Sequence, residues 1–321
     1  MRIGNLDLEG NTFLAPMAGI TDFPFRKTVE RFGVSALWTE MISSCAVVAS
    51  ARNLETLRLA DHQRPTICQI SGNDPTVMAK AAEKLQEMGA AGIDINMGCP
   101  ARKVVHSGSG VALMRNEPLA GKIVGAVKKA ITVPLTVKIR SGWDVHNQNA
   151  PDFAKMIESE GVDAIIIHSR IRSNRHSGPP SLGVIRRVKE SVGVPVIGNG
   201  GISDVPEAQA MIRETGCDGI MIGRGSLGRP WFLKTVMASL GNKHGQSVTA
   251  SSVLDIIVSH FELSQEMWGT QRAVRRMRKH LGWYSRGFEN GADFRSRVFR
   301  EETPNTIFQL LKTFFGKAAI I

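Results

Sequence analysis

Eight short apolar runs, each followed by a segment of helical periodicity, constrain this fold more than any other feature of the chain. The runs are Phe13–Met17, Ala36–Thr39, Thr66–Ile70, Gly92–Met97, Leu135–Ile139, Ala164–His168, Val194–Gly198 and Gly219–Ile222. They are continuous rather than strictly alternating, which is the pattern of strands buried on both faces. Helical patterns fill the intervals at Phe23–Phe32, Pro75–Met88, Leu119–Ala130, Asp152–Ser159, Leu182–Val192 and Pro206–Thr215. Asp22 and Asp74 read as N-caps, and Gly33, Gly89, Gly161 and Gly193 as C-terminal stops. The stretch from Ile42 to Gln63 gives no clear element. The pattern predicts an α/β fold, a (β/α)8 TIM barrel. A doubly wound sheet would want a GxGxxG turn after the first strand, where Ala15-Pro16-Met17-Ala18-Gly19 stands instead, and no Walker A sequence appears.

From about Gly241 the texture changes. Asn242-Lys-His-Gly-Gln-Ser-Val-Thr reads as a polar linker. Beyond it, Ser251–Trp268, Arg272–Arg286, Ala292–Arg300 and Pro304–Phe315 carry helical periodicity without a strand signal. The expected organisation is a barrel over residues 1–241 and a C-terminal all-helical domain over 242–321. The chain of 321 residues is basic, with net charge +11, and the charge is local. Nine Lys or Arg against two acids lie between Arg272 and Arg300, so that stretch of the helical part alone carries +7. A local surplus of that kind reads as a polyanion footprint.

Four Cys at positions 45, 68, 99 and 217 form no CxxC pair. That argues against a zinc knuckle, an iron–sulfur site or a disulfide framework, so no metal is expected and a reducing cytoplasm suits the chain. The N-terminus lacks a signal-peptide apolar region, and no apolar run approaches the roughly 20 residues that span a bilayer. The expectation is a soluble cytoplasmic protein without a membrane partner, monomeric by default.

In a TIM barrel, chemistry is done where strands end at their C-terminal tips. The run Asp94-Ile95-Asn96-Met97-Gly98-Cys99-Pro100 delivers a single thiol there on a sharp turn. Cys99 is a candidate acid, base or nucleophile, or else a small buried hydrophobe. Gln69 and Asn96 end neighbouring strands, Lys138 and Arg140 the next, and His168 and Arg170 the one after. A buried Lys needs a partner or a job: Lys138 could hold negative charge on a reduced flavin's N1–C2=O edge, or pair with Asp94. His168 taken alone reads as a satisfied core histidine. After the last two strands come Gly198-Asn199-Gly200-Gly201-Ile202-Ser203 and Gly223-Arg224-Gly225, a phosphate-binding pattern of this fold, with Arg224 supplying a fork for phosphate oxygens.

Several of these segments together resemble the tRNA-dihydrouridine synthases. They are Ala-Pro-Met-Ala-Gly-Ile-Thr-Asp (15–22), Gln69 with Gly72 and Asp74-Pro75, Asp-Ile-Asn-Met-Gly-Cys-Pro (94–100), Lys-Ile-Arg-Ser-Gly-Trp (138–143), Gly-Asn-Gly-Gly-Ile (198–202) and Gly-Arg-Gly-Ser-Leu-Gly-Arg-Pro-Trp (223–231). In the helical part, Arg278-Lys-His-Leu-Gly-Trp-Tyr284 is similar to the same family, closest to its bacterial B-type members. The resemblance implies an FMN enzyme that reduces the C5=C6 bond of a uridine in tRNA, with NAD(P)H re-reducing the flavin.

By position, the resemblance puts Ala15, Pro16, Met17, Ala18 and Gln69 against the isoalloxazine ring, with Lys138 and His168 beside it. Asn199, Gly200, Gly201, Gly223 and Arg224 would hold the FMN phosphate, and Cys99 would be the general acid. Asn96, Arg140, Arg170 and Arg172 would meet the uridine, and Arg272, Arg275, Arg276, Arg278 and Lys279 the tRNA. One loop departs from the family pattern: His176 and Leu182 stand where aromatics are usual, and Ser169 where Gly is usual. Two rival readings stay open at this point. One is an FMN barrel reducing a free pyrimidine; the other is a non-catalytic RNA-binding protein that keeps a flavin.

Overall fold

The computed structural model describes residues 1–50, 54–174, 178–241 and 249–316. Residues 242–248 of the expected linker and the loop residue His176 lie outside the described residues. Eight parallel strands form the barrel: β1 (Thr12–Leu14), β2 (Leu37–Trp38), β3 (Thr66–Ser71), β4 (Gly92–Met97), β5 (Leu135–Arg140), β6 (Ala164–His168), β7 (Val196–Asn199) and β8 (Gly219–Ile222). They pair in sequence order from β2 to β8, and β8 returns onto β1. At the remaining seam Ser35 N–H donates to the Thr12 carbonyl at 3.4 Å. The barrel is therefore nearly closed.

Strand limits differ from the sequence runs where proline intervenes. The run Phe13–Met17 is a strand only to Leu14; Ala15 N–H still reaches the Ile222 carbonyl at 2.9 Å, and Pro16 then has no N–H to offer. Likewise β7 begins after Pro195 and extends to Asn199. The helical segments end within a few residues of expectation, and side chains at their starts explain where they begin. Asp22 Oδ1 accepts from Phe25 N–H at 3.3 Å and Asp74 Oδ1 from Val77 N–H at 2.9 Å. Asn116 caps the helix Glu117–Ala130, which therefore starts before the expected Leu119.

The unclear segment after β2 contains a short strand, Ile42–Ser43, that pairs with β3, then the short helix Ser44–Ala49 and two 3-10 turns. A hairpin of Arg2–Ile3 and Leu6–Asp7, not anticipated from sequence, brings Ile3 and Leu8 into the lower barrel interior beside Phe13, Trp38, Ile67, Ile166, Ile197 and Met221.

The strands are buried on both sides as expected, but their two faces differ. Along β4 and β5 the residues Ile93, Ile95, Met97, Val137 and Ile139 join the apolar layer beneath the helices. Their neighbours Asp94, Asn96, Thr136 and Lys138 share the opposite face, because side chains alternate along a strand. The upper interior of the barrel is thus polar and the lower interior apolar.

The helices Ala250–Trp268, Thr270–Tyr284, Gly291–Val298 and Pro304–Phe315 enclose their own core, built from Ile257, Phe261, Met277, Leu281, Phe294, Ile307 and Leu311 among others. Phe32 and Trp231 of the barrel pack on this core. Gly228 permits the closest approach. A Cβ there would fall 2.2 Å from the Trp283 carbonyl oxygen, and its φ of +77° is itself a glycine conformation.

Candidate active site

The strand tips open into a cavity of about 1700 Å³. Its wall includes Ala15–Ala18 from the loop after β1, Gln69, Asn96 and Cys99, then Lys138 and Arg140, His168 and Arg170, and the glycine loops after β7 and β8. Val253, Trp283, Arg286 and Phe288 from the helical part complete it. Seven Lys or Arg line this space against one carboxylate, Glu207, so the cavity suits an anionic ligand.

Cys99 sits half-exposed on that wall. Asn96 Oδ1 accepts from both Gly98 N–H (3.2 Å) and Cys99 N–H (2.9 Å), which shapes the turn that carries the thiol. Arg140 closes the turn from the other side. Its Nε donates to the Gly98 carbonyl at 2.8 Å and its Nη1 to the Ile171 carbonyl at 3.0 Å, stapling the loops after β4 and β6 together. Burial, with Arg170 adding to it, lowers Arg140 to about 10, and the neighbouring Cys99 acts in the opposite direction.

Lys138 Nζ donates to Asn199 Oδ1 at 2.8 Å, and Asn199 Nδ2 in turn to the Met221 carbonyl at 2.7 Å. Burial pushes the Lys138 ammonium down, Arg140 pushes the same way, and Asp94 opposes both. The salt bridge between Lys138 and Asp94 that sequence also allowed is not formed among the described residues. Asp94 accepts instead from Gln69 Nε2 and Thr136 Oγ1, each at 2.6 Å. Burial raises its carboxyl well above the ordinary range.

The glycine loops form the other end of the cavity. Gly200 and Gly201 have φ of +105° and +79°, and a Cβ on Gly201 would lie 2.6 Å from Pro180. Backbone therefore lines the space where side chains cannot fit. Arg170 Nε donates to the Gly178 carbonyl at 3.0 Å, while its Nη1 is buried without a hydrogen-bond partner among the described residues. Burial lowers Arg170, and Arg224 nearby lowers it further. Two guanidiniums brought together beside glycine backbone make a cradle for a phosphate group. The flavin mononucleotide expected from sequence fits this donor set at its phosphate end.

A family model described as Dihydrouridine synthase (Dus) matches residues 13–319. The chain belongs to the dihydrouridine synthase family. It is 41% identical over 320 residues to a probable tRNA-dihydrouridine synthase of Rickettsia conorii, covering 98% of this chain and 96% of that protein. It is 40% identical over 320 residues to tRNA-dihydrouridine synthase B of Pasteurella multocida, covering 98% and 96%. In fold it is similar to 2-naphthoyl-CoA reductase (TM-score 0.60, 11% identity, 76% of this chain and 52% of that one). It is similar too to morphinone reductase in complex with tetrahydroNAD (TM-score 0.54, 11% identity, 79% and 92%).

Within this family member, the cavity gathers all but six of the expected site residues. Arg172 lies off the cavity, its guanidinium 4.4 Å from the Trp143 ring centre and Arg115 4.7 Å from the same ring. The basic cluster on Thr270–Tyr284 is also outside the cavity and divides in two. Arg272 and Arg275 are exposed. Arg276, Arg278 and Lys279 are half-buried and held by the protein, on Asp22, the Glu301 carbonyl and the Gly19 carbonyl respectively. Gln69 is likewise committed internally, both ends of its amide being taken by Asp94 and Asn96.

Sequence reading missed Arg102, Trp283 and Arg286 as wall residues. Arg102 follows Cys99 by three positions and opens the short helix Arg102–His106, a signal that was available; Trp283 and Arg286 come from the helical part, and only its docking brings them in.

Proposed function

We propose that this protein is a tRNA-dihydrouridine synthase, reducing the C5=C6 bond of a uridine in tRNA with FMN as bound cofactor and NAD(P)H as electron donor. The carrying observation is Cys99, held by Asn96 and Arg140 on the wall of a cation-lined cavity at the tip of β4, in a chain of this family.

Arg224 and the Gly200–Gly201 backbone would hold the FMN phosphate, joined by Arg170, which the sequence had set against the uridine and which lies beside Arg224 instead; the Pro16–Ala18 backbone, Lys138 and His168 would flank the ring. Bound there, FMN would supply the hydride that adds to C6 of the uracil. The chain's own part is the proton. The Cys99 thiol gives it to C5 as negative charge builds on the uracil C4 oxygen, the part a positioned general acid plays. Lys138 and Arg140 place positive charge beside the site and stabilise that negative charge.

The target base must leave its stack to enter, at a cost of a few kcal/mol. Phosphate contacts from the exposed face of the helical part would offset that cost. In this reading residues 1–241 do the chemistry and 242–321 present the RNA.

The test is reconstitution with FMN and NADPH on tRNA lacking dihydrouridine, with nucleoside mass spectrometry as readout. Dihydrouridine at a defined position is expected. A flavin-loaded protein that leaves tRNA unchanged but reduces free uracil or uridine would overturn the proposal.

A further inference from the structure

We infer that Asp94 is a positioning residue for Cys99: acting through Gln69 and Asn96, it decides which atom of Asn96 faces the thiol-bearing turn. The inference rests on the reading of Cys99 as the proton donor. Four hydrogen-bonded links carry it. Thr136 Oγ1 donates to Asp94 Oδ1 (2.6 Å), Gln69 Nε2 donates to Asp94 Oδ2 (2.6 Å), Asn96 Nδ2 donates to Gln69 Oε1 (2.9 Å), and Cys99 N–H donates to Asn96 Oδ1 (2.9 Å).

A primary amide has a donor end and an acceptor end, so a chain of two amides has a polarity. Here both ends of the chain demand the same polarity. The Thr136 and Gln69 donors and the nearby Lys138 ammonium favour the ionised Asp94 carboxylate, which in that form can only accept; this turns the Gln69 nitrogen toward it and leaves the Gln69 oxygen facing Asn96. Two backbone N–H groups at Gly98 and Cys99 can only donate, which turns the Asn96 oxygen toward them. The middle link then matches without adjustment. Reversing either amide would set donor against donor at one end and acceptor against acceptor at the other.

Water cannot repair such a mismatch. Asp94 and Thr136 are 0% exposed and Gln69 1%, and a buried polar group left unpaired costs more than the bond itself gains. Register places the parts: Gln69 lies beside Asp94, and Asp94 beside Thr136, on adjacent strands. The relay thus spans β3, β4 and β5 and ends at the cavity wall.

The test exploits polarity. Gln69→Glu faces Asp94 with a second acceptor. Adding Asp94→Asn supplies a donor to the carboxylate introduced at position 69, whose other oxygen still accepts from Asn96, and net charge returns to that of the parent. Two readouts are taken on the flavin-loaded full chain: the rate of Cys99 alkylation by iodoacetamide, mapped by peptide mass so that exposed Cys45 is scored separately, and kcat and KM for tRNA. Gln69→Glu is expected to release the turn, speeding alkylation about fivefold and lowering kcat about tenfold with KM for tRNA little changed. The double variant is expected to return both to within about threefold of the parent.

A double variant no better than Gln69→Glu overturns the inference, because Gln69 would then act by its own contact. So does an unchanged alkylation rate in Gln69→Glu. If Gln69→Glu does not fold, Asp94→Leu removes the acceptor without adding charge and must speed alkylation equally; an unchanged rate overturns the inference. If the parent itself shows no dihydrouridine formation, the proposed function fails while alkylation still judges the relay.

Discussion

Asp22 and Arg276 join the two halves of the molecule. Arg276 Nη2 lies 2.8 Å and Nε 3.2 Å from Asp22 Oδ2, while the other oxygen of the same carboxylate caps the helix Phe23–Glu30. Trp268 Nε1 donates to Asp22 Oδ2 at 3.3 Å, and its ring lies 4.2 Å from the Arg276 guanidinium. Lys279 Nζ meets the Gly19 carbonyl a few residues before Asp22, and Gly19 N–H is taken by Glu40. A helix that carries part of the basic cluster is thereby clamped to the loop after β1, which lines the cavity.

Replacing Asp22 with Ala removes a cap and strands Arg276. The cap alone is worth about 1 kcal/mol, and a mostly buried partner adds about as much again. Asp22→Ala is therefore expected to lower unfolding stability by about 2 kcal/mol and Arg276→Ala by about 1–2 kcal/mol. Denaturant titration checks both; no loss in either would mean the clamp carries no load.

The exposed arginines of the same helix behave differently. The double variant Arg272→Ala with Arg275→Ala is expected to unfold as the parent does but to bind tRNA more weakly, with the slope of log K against log salt reduced by about 1.5–2. Filter binding across a salt series measures it. An unaltered slope would show that these two side chains face away from the RNA. Arg276, Arg278 and Lys279 make poor probes of RNA contact, since each is already holding the fold.

Cys99→Ala removes one thiol and leaves the turn's hydrogen bonds, which are made by backbone. Flavin and tRNA binding should persist while single-turnover formation of dihydrouridine falls by about 10²–10⁴, the usual worth of a positioned acid. Full activity in this variant would remove Cys99 from the mechanism.

Acid should loosen the seam between barrel and helical part. His260 and His280 are buried there, their rings 4.7 Å apart, with Phe25 packed on both. His260 Nδ1 meets Tyr284 Oη at 3.1 Å. Burial pulls His260 down to about 4, with Asp22 opposing and Lys279 assisting; burial takes His280 well below its ordinary value too. Each ring is neutral when folded but takes a proton below about 6.5 when unfolded, so the unfolded state binds more protons in acid. The contribution is complete above about pH 6.5 and is lost as pH falls toward 4. Between pH 7 and 5 His260 alone is expected to cost about 2 kcal/mol of stability, measured by denaturant midpoints, and His260→Gln should flatten the profile.

The order of elements, the barrel class and the tips where Cys99, Lys138, His168 and the glycine loops fall were all legible in the chain. Each depends on local periodicity, proline, glycine or caps such as Asp22 and Asp74, and these act within a few residues of themselves. The run Gly92–Met97 read as continuously apolar, and only the closed barrel shows that Asp94 and Asn96 share a polar face that turns inward.

Partners across strands and across the seam were not legible. Gln69 reads equally as a ligand contact or as a link between Asp94 and Asn96, and Arg276 equally as an RNA contact or a clamp on Asp22. Which one holds depends on residues 25 and 254 positions away. Local sequence determined what each side chain can do; the packing of strand on strand and helix on barrel decided which partner each one met, because hydrogen bonds and ion pairs act over a few ångströms of space, whatever the distance along the chain.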